Sequence, residues 1–106
     1  MHDLYAWLNE QNGGIRTYAE FHRKAQQLAR EDAANAAILA LLGRVAARFV
    51  ARYEGEPLPV DNASGAIVQF RELLAKASEI VSASDAEKLA FANMVATFDL
   101  PGVKTN

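Results

Sequence analysis

The stretch AANAAILALLGRVAARFVARY, residues 33–53, decides the fold class. Alanine, leucine and arginine are among the best helix formers. Nothing here alternates with the period of two that a half-buried strand requires. A helix over 33–53 spans ~30 Å at ~1.5 Å per residue. Its large apolar residues, Ile38, Leu41, Leu42, Val45, Phe49 and Tyr53, share one stripe. The opposite side carries small residues, Ala36, Ala40, Gly43, Ala47 and Ala51, where a surface helix would be polar. Only the flank with Arg44, Arg48 and Arg52 is charged. A helix with one large-residue face and one small-residue face is expected to be touched on both sides, which makes it the central helix of a bundle.

On the N-terminal side, residues 17–30 repeat the helical pattern. Tyr18, Phe21, His22, Ala25, Leu28 and Ala29 fall on one face, opposite Glu20, Arg23, Lys24 and Gln27. Thr17 and Glu20 have capping-box spacing. An unbroken helix would carry Asp32 into its apolar face, so a break is expected near 30–32 with Asp32 capping the next helix. A short helix over 3–11 precedes, with Asp3 as its cap and Trp7 as its docking anchor. Asn12-Gly13-Gly14 ends it, because these residues accept positive φ.

Toward the C-terminus, Gly55, Pro57 and Pro59 break the chain between 54 and 60. A helix over 62–81 follows, with Phe70, Leu73 and Leu74 central to its apolar face. Its solvated back carries Glu72 and Lys76, spaced as an i,i+4 pair. Ser84 and Glu87 again have capping-box spacing and start a helix over 85–98. Phe91, Met94, Val95 and Phe98 form its apolar stripe, Pro101-Gly102 closes it, and Val103 to Asn106 read as a loose tail.

Composition agrees. Alanine occurs 21 times in 106 residues, against 6 glycines and 3 prolines, and cysteine is absent. The expected architecture is all-α: one domain over 1–106, a compact bundle of four main helices plus a short N-terminal helix. Without cysteine there is no disulfide scaffold, thiolate metal site or cysteine nucleophile. The lack of cysteine suits a reducing cytoplasm, the expected location. No apolar run is read as approaching the ~20 residues of a bilayer span, so no membrane contact is expected.

Formal net charge is −2, but it is unevenly placed. Residues 13–52 hold seven Arg or Lys against three Asp or Glu, and residues 61–106 hold four against six. The most specific polar feature is the row Arg44, Arg48, Arg52. Spacing of four places three guanidiniums along one helix edge, and guanidiniums take carboxylates or phosphates bidentately. The row is the candidate partner-binding strip, for an acidic protein surface. The alternative is a solvated flank paired with Glu56 or with acids of a neighbouring helix. The stripe Ala36, Ala40, Gly43, Ala47, Ala51 permits close helix approach, either within the monomer or across a homodimer interface.

No catalytic constellation, cofactor motif or metal-ligand spacing is present, so no enzyme activity, metal or cofactor is expected. His22 on an apolar face is a core-edge histidine in the plainer reading and the centre of a small ligand-binding or enzymatic bundle in the other. Residues 17–53 have the order of a helix-turn-helix, but a recognition helix starting Ala33-Ala34-Asn35-Ala36-Ala37 lacks base-reading side chains. The functional expectation is a non-enzymatic protein–protein interaction or regulatory module: an adaptor, inhibitor or assembly subunit. Nucleic-acid-backbone binding through the basic 13–52 half is the alternative, at odds with the acidic net charge.

Overall fold

A computed structural model describes residues 1–103. It contains α1 (His2–Asn9), α2 (Ile15–Glu31), a 3₁₀ turn (Ala33–Asn35), α3 (Ala36–Arg52), α4 (Val60–Ile80) and α5 (Asp85–Ala96). No strand occurs among the described residues. The architecture is all-α, four main helices and a short N-terminal one.

Helix α3 holds the middle. It makes the most extensive helix pair with α2 and carries α5 on another side, while α1 lies across α4 and α2. Seven of its residues are buried, Leu42, Val45, Ala46 and Phe49 completely. Rings from three helices meet in the core. Tyr18 lies 4.4 Å from Phe49 and 5.4 Å from Phe70, centroid to centroid, and Phe21 meets Phe70 edge-on at 4.6 Å. Such pairs add roughly 0.5–1.5 kcal/mol each beyond burial. By length and composition alone, Ala33–Arg52 would be long and apolar enough to cross a membrane. This corrects the reading that no run approaches that length. In the fold, Ile38, Leu39, Leu42, Val45 and Phe49 of this segment are buried in the core.

Local signals differ from expectation at several ends. Helix α2 starts at Ile15, not at Thr17, with Gly14 as its N-cap. Asn12 Oδ1 accepts from the Gly14 N–H at 3.1 Å, and Gly13 at φ 85° turns the chain. The turn is thus complete before Thr17, which lies inside the helix and is buried. Glu20 accepts instead from Arg23 at 2.7 Å. That hydrogen bond and the charge behind it hold the exposed Glu20 carboxyl below the usual carboxylate range. Helix α1 is anchored by Leu4 and Leu8, both buried, rather than by Trp7. Trp7 is half-buried with the Lys24 ammonium 5.2 Å from its ring centroid. The break near 30–32 is present, but the Asp32 carboxylate accepts from the Asn35 side-chain amide (2.9 Å), not from a backbone N–H. One 3₁₀ turn therefore precedes α3.

At the other end, the Ser84 cap forms as expected: its Oγ accepts from the Glu87 N–H at 3.2 Å. The i,i+4 pair of Glu72 and Lys76 does not form, since no ion pair joins them among the described residues. Helix α5 ends at Ala96, short of the expected 98. Val103 is buried, which corrects the loose-tail reading at that residue; 104–106 lie outside the described residues. Gly102 explains how the segment comes so close. Its φ is 89°, and a Cβ there would collide with the Tyr53 hydroxyl. That hydroxyl also accepts from Asn62 Nδ2 at 2.9 Å, so the end of α3, the start of α4 and the C-terminal segment meet at one point.

Candidate functional site

The arginine row lies along the seam between α3 and α5, and each member has a partner inside the chain. Arg44 Nη2 donates to the Val95 and Phe98 carbonyls, both at 3.0 Å. The Val95 carbonyl lies in the last turn of α5 and also accepts from the Phe98 N–H at 3.1 Å, while the Phe98 carbonyl lies just beyond the helix; this is the end where the helix dipole is negative. Arg44 therefore serves as a C-terminal cap supplied by another helix. Arg48 grips Asp99 with two bonds, Nε to Oδ1 at 2.7 Å and Nη2 to Oδ2 at 3.3 Å. Arg44 Nη1 stands 3.9 Å from the same carboxylate. Arg52 pairs with Glu56 at 2.8 Å and lies over the Tyr53 ring. Beyond Asp99, Leu100 is buried and Val103 closes a shallow hollow of about 250 Å³ with Arg48, Ala51 and Arg52.

The small-residue stripe divides between interior and surface. Gly43 is buried in the α2–α3 contact, where an added Cβ would stand 3.3 Å from His22 Cδ2 and 3.5 Å from the Ala25 Cβ. Ala36 and Ala47 are half-buried, while Ala40 and Ala51 are exposed. His22 is thus a half-buried side chain beside Gly43, between α2 and α3. Among the described residues no group of three His, Cys, Asp or Glu could hold a metal ion.

The other side of α5 is different. Helices α4 and α5 touch far less than α3 and α5 do, and a groove runs between them. Two hollows of about 300 and 340 Å³ lie along it, joined where Lys76 and Met94 line both. Leu73, Phe91 and Phe98 form the apolar walls, and Glu72, Lys76 and Glu87 stand on the rim. Met94 is 41% exposed. From Gln69 to Ile80 the α4 wall runs about 16 Å at ~1.5 Å per residue.

Sequence reasoning missed this groove. Phe91, Met94, Val95 and Phe98 read as a single stripe, but it splits. Phe91 and Val95 enter the core, while Met94 and Phe98 stay partly open toward α4. One signal was available. Leu89, about 140° around the helix from Met94 at ~100° per residue, is also apolar and 62% exposed. Apolar residues on several sides of a short helix mark more than one contact surface.

Five buried side-chain polar atoms lack a hydrogen-bond partner among the described residues: the Tyr18 hydroxyl, Asn35 Oδ1, Arg44 Nε, Arg71 Nε and Ser78 Oγ. The Tyr18 hydroxyl is enclosed among the core rings and makes no hydrogen bond. Burial pushes its phenol far above the ordinary 10.0, with the Arg71 charge pulling weakly the other way. Arg71 itself donates to the Gln11 carbonyl at 2.7 Å and ties α4 to the turn that follows α1.

Comparison with protein-family models, curated proteins and solved structures returns no match to this chain.

Proposed function

We propose that this chain is a non-enzymatic protein-binding module that receives its partner in the groove between α4 and α5. The observation that carries the reading is the pairing of an apolar groove with rim charges that have no ion-pair partner among the described residues. The arginine row, by contrast, is used internally: Arg44, Arg48 and Arg52 all contact groups of their own chain. A groove of this kind has the anatomy of a docking surface, an apolar centre with a polar border. Methionine suits its centre, because an unbranched thioether adapts to the shape it meets.

The arginine row is a poorer surface for either an acidic protein or a nucleic-acid backbone. A ligand there would first have to displace Asp99 and Glu56. Arg23 is likewise paired, with Glu20, so the basic 13–52 half offers fewer free cations than its composition implies.

The test is affinity capture with the full chain from a lysate of the organism that makes it. Two variants address the groove, Met94→Glu and Ala90→Arg, both at exposed positions that line it. Leu89→Glu is the control on the far side of the same helix. A protein retained by the wild type and the control, and lost by both groove variants, supports the reading. Equal capture by all four proteins, or no capture at all, overturns it.

A further inference from the structure

The rim of the groove says what kind of surface would cover it. Glu72 and Lys76 sit four residues apart on α4, both exposed, with no ion pair between them and none to any other described residue. Glu87, the third rim charge, is already engaged, since its carboxylate takes a hydrogen bond from the Ser84 hydroxyl at 3.2 Å. The groove therefore presents one free anion and one free cation, a turn apart, beside a partly exposed Met94. Val68, one turn before Glu72 on α4 and 51% exposed, extends the apolar border.

A surface with both signs of charge along one helix edge is complementary to itself. Turned by a two-fold axis passing between the two charges, α4 lies antiparallel to its copy. Lys76 of one copy then faces Glu72 of the other, twice. This is the isologous condition: a single patch supplies both halves of every contact. A purely acidic or purely basic partner would satisfy one rim charge and repel the other. A second copy satisfies both while bringing the apolar walls around Met94 together.

We infer that the occupant of the α4–α5 groove is a second copy of this chain, held by reciprocal Lys76–Glu72 pairs around Met94. The inference rests on the groove being a docking surface and deepens that proposal by naming the partner.

Analytical ultracentrifugation of the purified full chain tests it, from about 1 µM to about 1 mM, the range in which small interfaces associate. A concentration-dependent shift from monomer to dimer is expected. Ala90→Arg and Met94→Glu remove it, with circular dichroism melts verifying that each variant stays folded. Lys76→Glu and Glu72→Lys, at exposed positions that leave the core untouched, each weaken association by about tenfold or more, because like charges then face one another. An equimolar mixture of these two variants recovers wild-type association, since each acid again meets a cation. A monomer at every concentration overturns the inference. So does a dimer indifferent to the groove variants, or a mixture that fails to recover. If the pure chain is monomeric while the groove variants abolish capture of a different protein, the second copy is excluded and the docking reading stands. If it is monomeric and capture is unchanged, both fall.

Discussion

Helix α5 has two neighbours and treats them differently. Against α3 the seam is closed, with Arg44 capping the helix end, Arg48 holding Asp99, and Leu100 buried beyond. Against α4 the seam stays open, with hollows along its length and rim charges that have no ion-pair partner among the described residues. The same short helix thus has one closed seam and one open groove. The difference teaches that charge alone does not mark a binding surface. The denser cluster of charge, three arginines, is the one the fold uses for its own cohesion.

If that contrast is right, substitutions along the closed seam cost stability and those along the groove do not. The largest effect is expected at Leu100→Ala, which opens a cavity beneath the clamp and should cost about 3 kcal/mol in chemical unfolding. Arg44→Ala should cost about 2 kcal/mol, since it strips charge-assisted donors from the Val95 and Phe98 carbonyls, at and just beyond the end of α5. A loss as small as that of an exposed arginine would break the capping account.

Tyr18→Phe addresses the core that both seams share. Removing a buried hydroxyl without a partner should raise stability by about 1 kcal/mol. The gain should widen at alkaline pH. The folded phenol ionises above its unfolded value of 10.0, so the difference between the two proteins is constant below pH 10.0, and above it the wild type alone loses stability as pH rises. The wild type then loses about 1.4 kcal/mol per pH unit that the variant retains. Parallel pH profiles for the two proteins would contradict the burial of this group.

Arg52→Ala sharpens the comparison within the row, because its partner Glu56 lies four residues away on the surface. No more than about 0.5 kcal/mol should be lost. Smallest of all is Ala90→Arg in the groove, expected within about 0.5 kcal/mol of the wild type in the same melts.

The helices themselves were legible in the sequence because their signals are local. The period of 3.6 in 33–53, the Ser84–Glu87 box and the Gly55–Pro59 break each depend on residues within a turn or two. Destinations were not legible. Arg48 reaches Asp99 across 51 positions, and nothing at residue 48 says that its acid lies there rather than on another molecule. Trp7 and Leu8 share one face in the sequence pattern, yet Leu8 is the one fully buried, because a short helix can roll to bury either. Thr17 carried the right capping chemistry, but the Asn12 turn had already started the helix. The groove was the least legible feature of all. It arises from how far α4 and α5 diverge, a property of neither helix alone.

Arg44's reach has a consequence in time. Its two acceptors lie 51 and 54 positions further along the chain, and the 12-residue α5 is too short to hold itself in water. The α2–α3 hairpin forms from neighbouring segments and can assemble early, whereas the end of α5 gains its cap only after a long loop has closed. Folding should therefore finish at α5, and native fluctuations should begin there. In hydrogen exchange, the amides of 91–98 should open together and ahead of those in α2 and α3.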